Sequence, residues 1–238
     1  AVASLAARTA VEPLLLLGER YGVDLLLAAL LLAWAPAARS WLARGRTFAA
    51  AAALLVPLAV ATPVLTPPLG DEPYHILLLD SLVGDRDLEV SNNYDLERIP
   101  AQAIYRRWEG TFVHSPALAV LLAPAYALAG RPGAAGLLAL AGATLLALAA
   151  RRMAGLGVGG RATAAVSAAM LLSYPLLTFS SQLWVEVPGA LLAMAALAWG
   201  TGNRPRPLAA SLAAVVATLL KPRLALVTIP VAAAAWGV

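Results

Sequence analysis

Residues 47–73 read TFAAAAALLVPLAVATPVLTPPLGDEP. The run from Thr47 to Thr66 carries no charge. At about 20 residues, such a helix spans about 30 Å, the hydrocarbon thickness of a bilayer. Gly70-Asp71-Glu72-Pro73 then follows at once, so two carboxylates stand where an apolar helix meets water. Acidic side chains avoid lipid, which makes a pair at its edge a candidate functional site. The same pair also serves simply to end a helix and solvate the loop behind it.

The rest of the chain has the same character. It holds 238 residues, 61% hydrophobic and 13% charged, about half the charge of an ordinary soluble domain. Backbone polar groups in lipid must be satisfied within the segment, and β-branched alternation is scarce, so the expected class is an all-α polytopic membrane protein. Cysteine is absent, which excludes disulfides and Cys-ligated zinc. The net charge of +4 comes from arginines scattered between apolar runs, and nucleic-acid binding would need them clustered on one face. Residues 1–10 lack the pattern of a signal peptide. The chain has no initiator methionine and stops at Val238 within an apolar run, so a partial polypeptide is expected.

About seven spans are expected, near 23–36, 47–66, 134–150, 162–180, 186–200, 207–220 and 223–238. Basic loops mark the cytoplasmic side. Arg39, Arg44 and Arg46 form one such loop, Arg151, Arg152 and Arg161 a second, and Arg204 and Arg206 a third. All three fall inside only if Pro116 to Gly130 does not cross. That segment is apolar but about 15 residues long and contains Pro124, so we read it as interfacial or re-entrant. Residues 67–133 then form one large external loop with juxtamembrane helices, Tyr74 to Val83 among them. This loop holds nine of the 13 acidic residues and both histidines. The turn from Ser180 to Glu186 and the break Lys221-Pro222-Arg223 share its face. The chain divides into an N-terminal segment, 1–46, with one span, and a transmembrane module, 47–238.

Several side chains on that face can carry chemistry. Asp71 and Glu72 suit a general base or a metal ligand. Lys221 and Arg223 lie against the usual charge bias, where cations clamp a phosphate or snorkel to lipid headgroups. Glu186 opens a helix with Pro188 close behind, which is good N-terminal chemistry and also a second acid for the same cavity. His75 and His114 could join Asp71 around a divalent metal such as Mg or Mn, although their spacing fits no fixed ligand pattern. Tyr74, Tyr94, Tyr105 and Trp108 fit an aromatic belt, and Trp184 fits either that belt or a sugar-stacking role. The glycine-rich stretch Gly155 to Gly160 lies in a basic loop and follows no strand, so it is not read as a nucleotide site.

Taken together, these stretches resemble the GT-C membrane glycosyltransferases, a group that includes protein O-mannosyltransferases and the aminoarabinose transferases of lipid A. Gly70-Asp71-Glu72-Pro73-Tyr74-His75, with Gly84-Asp85-Arg86-Asp87-Leu88 beyond it, looks like that family's first external loop. Val113-His114-Ser115-Pro116-Ala117-Leu118 is similar to a motif that opens the next apolar stretch, with Ser115 in place of its first proline. Tyr174 to Pro188 resembles a later external turn with a second acid, and Leu220-Lys221-Pro222-Arg223 a motif of bacterial members. The likeness covers roughly residues 45–238.

The resemblance implies a GT-C-like helical module in a bacterial plasma membrane, with its active site on the extracytoplasmic side. It implies inverting transfer from a polyprenyl-phosphate-linked sugar to a hydroxyl acceptor on a glycan, lipid or protein. Asp71 would be the base, supported by Glu72. Glu186, Lys221, Arg223, His114 and Tyr74 would bind substrate, with Asp71 and His75 as the candidate metal ligands. Rival expectations are a transporter or flippase of an anionic or lipid-linked solute, and a non-catalytic subunit completed by a second polypeptide.

Overall fold

The structure, a computed structural model, describes residues 46–95, 114–202 and 204–237, with the single positions 29, 31, 33, 34, 97 and 99. The expected span at 23–36 therefore falls almost wholly outside the described residues, as do Arg39, Arg44, Tyr105 and Trp108. Every regular element among the described residues is helical.

Helix α1, Thr47–Leu65, follows the uncharged run. Helix α2, Glu72–Asp80, continues into a π-helical turn, Ser81–Asp85, which Arg86 ends in the left-handed region. Helix α3, Ala117–Gly155, has two arms that meet at Ala129 and Gly130. Gly130, at φ 59° and ψ −147°, adopts a backbone conformation that side chains disfavour, and this permits the kink. Then come α4, Gly160–Leu171, α5, Tyr174–Ser181, α6, Glu186–Gly200, and α7, Pro207–Leu220. A 3₁₀ turn, Pro222–Leu224, leads to α8, Ala225–Ala235.

The second arm of α3 runs antiparallel to α1. Arg131 reaches the Pro63 and Thr66 carbonyls, Gly136 faces Val60, and Gly142 faces Leu55. Leu54, Leu55, Leu138 and Leu146 are buried in the resulting core. At the far end of this pair, Arg152 donates to the side chain of Thr201, which joins the basic C-terminal turn of α3 to the end of α6.

The first arm of α3 behaves differently. His114, just before it, lies beside Asp71, and Arg131, just after it, grips Glu72. Both ends of the arm thus sit at the acidic end of α1. In between, Tyr126 donates a 2.6 Å hydrogen bond to Asp80 of α2.

The described residues show fewer than the expected seven spans. Among the described residues two helices, α1 and α3, are long and apolar enough to cross a membrane, or three spans if α4 and α5, bent by 55° at Leu172–Ser173, count as one. Helices α6, α7 and α8 coincide with expected spans but have 15, 14 and 11 residues. At 1.5 Å per residue they reach about 16–23 Å, short of the roughly 30 Å core. Breaks at Gln182–Val185, at Thr201–Gly202 and at Lys221–Pro222 set these lengths.

Candidate functional site

The chain leaves α1 through Pro67 and Pro68, which cannot extend the helix ladder, and turns at Gly70. Gly70 has φ 59°, and a β-carbon there would strike the Trp184 indole. The turn sets Asp71 at the N-cap of α2. Its carbonyl accepts the Tyr74 and His75 N–H groups, while its side chain makes no capping bond. The Asp71 carboxylate is thus free of the helix and nearly half exposed.

Opposite, α7 ends where Pro222 forbids continuation, and Lys221 takes an extended conformation. Ser115 ties this end to the start of α3. Its hydroxyl donates to the Leu219 carbonyl at 2.5 Å and accepts the Ala117 N–H. These contacts bring segments far apart in sequence around one cavity of about 530 Å³, walled by Asp71, His75, His114, Trp184, Lys221 and Arg223 among others.

Its walls differ in chemistry. On one side His114 Nε2 stands 3.6 Å from Asp71 Oδ1. The His114 ring meets Tyr74 edge-on at 5.4 Å and lies 5.3 Å from His75. His75 is buried, and its Nδ1 has no hydrogen-bond partner. Burial, and then the nearby His114, hold its pKa down to about 3, so the ring is neutral. Trp184 adds an aromatic face, fixed by its Nε1 bond to Gln182 and by Phe179 at 5.2 Å. On the other side Lys221 donates to Glu186 Oε1, and Arg223 reaches the same oxygen at 3.9 Å.

Of the residues singled out in the sequence, Asp71, His75, His114, Lys221 and Arg223 line the cavity. Glu186 is joined to it through Lys221 and Arg223. Two others are placed elsewhere. Glu72 is fully buried, and its carboxylate is consumed by Arg131, through Nε at 2.9 Å and Nη2 at 2.7 Å, and by the Leu183 N–H at 3.2 Å. A carboxylate so saturated acts as a structural anchor beneath Asp71. Tyr74 is also buried, behind His114, and does not wall the cavity. Among the described residues no group of three or more His, Asp or Glu side chains converges on a point that could hold a metal.

Arg131 escaped the sequence reading, yet all three of its guanidinium nitrogens donate, to Glu72 and to the Pro63 and Thr66 carbonyls. The available signal was a solitary arginine before Pro132, breaking an apolar stretch on the same face as the acids.

A proton acceptor beside an imidazole, an aromatic face and two cations thus surround one space. That set can deprotonate a hydroxyl and hold an anion in the same cavity. No protein-family model, curated protein or solved structure matches the chain.

Proposed function

We propose that this chain performs inverting glycosyl transfer from a polyprenyl-phosphate-linked sugar to an acceptor hydroxyl. One observation carries the reading: Asp71 and the Lys221–Arg223 pair line the same cavity at the end of an apolar helical bundle. The Asp71 carboxylate takes the acceptor's proton. The freed oxygen pair forms the new bond to the anomeric carbon from the face opposite the phosphate. The bond from that carbon to the phosphate oxygen breaks, and its electrons leave on the phosphate. Arg223 and Lys221 stabilise that charge, Arg223 through a guanidinium fork that matches phosphate oxygens. Trp184 offers a face on which a sugar ring can stack.

Orientation follows from charge. Arg46 and Arg152 belong to the end of the α1–α3 pair opposite the cavity, which supports a reading with that end in the cytoplasm and the cavity on the extracytoplasmic side of a bacterial plasma membrane. The lipid tail lies among the apolar helices, and a second polypeptide can complete the cavity wall. A transporter would carry its charged groups at mid-depth, whereas these sit at helix ends.

The test is transfer by the chain reconstituted in vesicles with a panel of labelled undecaprenyl-phosphate hexoses. Asp71→Asn should cut transfer by about 10²–10⁴-fold without changing stability. Arg223→Ala should weaken donor binding. Full transfer by the Asp71→Asn protein overturns the assignment.

A further inference from the structure

Glu186 takes no part in the transfer step above, yet it occupies the cations that step needs. Lys221 donates to its Oε1, Arg223 approaches that same oxygen, and its Oε2 is buried with no hydrogen-bond partner. Lys221 and Arg223 face the cavity, while Glu186 does not wall it. An anion entering the cavity therefore meets two cations backed by a carboxylate.

We infer that Glu186 is a built-in counter-anion that biases the cation pair toward a singly charged lipid phosphodiester and against a doubly charged lipid phosphomonoester. The inference rests on the glycosyl-transfer reading for its consequence, since the donor is the diester and the spent carrier the monoester. Its basis is electrostatic. A phosphodiester carries one negative charge, and a monoester approaches two above its second pKa of about 6. The repulsion from a fixed carboxylate is proportional to the charge of the incoming group, so it penalises the monoester about twice as heavily in free energy. Two unopposed cations would hold the dianion best and stall the site with its own product. With Glu186 behind them, the cations still receive the donor but release the carrier.

Binding measures this directly, with the full chain in nanodiscs at pH 8 and two probes, undecaprenyl phosphate and its methyl diester. For Glu186→Gln we expect about threefold tighter binding of the diester and about tenfold tighter binding of the monoester. Glu186→Asp should stay near the parent protein. Lys221→Gln leaves only Arg223 against the carboxylate and should weaken the monoester more than the diester, a second check if Glu186→Gln does not fold. Unchanged or equally changed affinities for the two probes in Glu186→Gln overturn the inference. So does weaker binding of both, because Glu186 would then serve only to hold Lys221 in place. A chain that shows the expected shift but transfers no sugar keeps this inference and overturns the glycosyl-transfer reading. A chain that transfers sugar without the shift does the reverse. Failure of the parent protein to bind either probe overturns both.

Discussion

Arg131 and Glu72 form a two-pronged ion pair, Nε to Oε1 at 2.9 Å and Nη2 to Oε2 at 2.7 Å, with the carboxylate fully buried. The same guanidinium takes the Pro63 and Thr66 carbonyls, acceptors at the end of α1 that lack a continuing helix. The pair therefore joins α1, α2 and the kink of α3, and through the Leu183 N–H it reaches the turn that carries Trp184. Removing one partner leaves a buried charge alone, at a cost of about 3–5 kcal/mol. Glu72→Ala and Arg131→Ala should each lower thermal stability in detergent by that order. Arg131→Lys should recover only part of it, because an ammonium cannot span both carboxylate oxygens and both carbonyls. Full stability in Arg131→Lys would show that charge alone, without the fork, holds the joint.

How much of this was legible in the sequence depends on what each feature requires. The lengths of the apolar runs and the positions of the arginines dictate which ends share a face. That is why Asp71, His114, Lys221 and Arg223 could be grouped before any coordinates. The break near Gly130 was legible only in part: the apolar stretch from Pro116 to Gly130 is short, yet Pro124 sits inside the first arm of α3 and the helix bends at Ala129–Gly130 instead. The partners of individual side chains were not. Nothing in Asp71-Glu72 says that the first faces a cavity and the second is buried, because that follows from one residue's turn about the α2 axis, about 100°. Among the described residues fewer spans are shown than expected because α6, α7 and α8 fall short of the bilayer, and hydropathy does not register where Lys221-Pro222 or Gln182–Val185 will break a helix.

Gly70 and Trp184 offer a test of how the two halves of the cavity rim are held. An alanine at 70 must keep φ near 59° and place its methyl where the indole ring lies. Left-handed backbone at a residue with a β-carbon costs about 1–3 kcal/mol, and the collision adds to it. Gly70→Ala should therefore destabilise the protein. Trp184→Ala in that background should restore the steric part and leave the backbone part. A double-mutant cycle reads the difference as a coupling of about 0.5–3 kcal/mol. Strict additivity would mean that the ring moves aside freely.

His114 stands against Asp71 but is braced from behind by Tyr74. In the proposed reaction it positions the carboxylate instead of touching the sugar. His114→Ala should lower kcat about tenfold or more with little change in donor KM. His114→Gln, which keeps a polar group near Asp71, should recover part of kcat. A pure KM effect would place His114 on the substrate instead.

His75 predicts the pH dependence of stability. Its pKa falls from 6.5 to about 3 in the folded chain, from burial first and the neighbouring His114 second. Between those values the unfolded chain carries a proton that the folded chain refuses. The unfolded state binds more protons there, so stability rises with pH across the window and is lost as pH falls through it. The slope approaches about 1.4 kcal/mol per pH unit for this one group. Above about pH 6.5 it contributes no further change, and below about pH 3 the loss is complete. Unfolding measured in detergent from pH 7 to pH 4 should therefore show a falling midpoint. His75→Phe keeps an aromatic ring without a titrating nitrogen, and should flatten this part of the curve while leaving the carboxylate-driven loss at lower pH. If the midpoint of His75→Phe falls as steeply as that of the parent protein between pH 6.5 and 5, the ring takes up its proton without unfolding the chain. The cavity wall that His75 forms would then admit charge and the water that accompanies it.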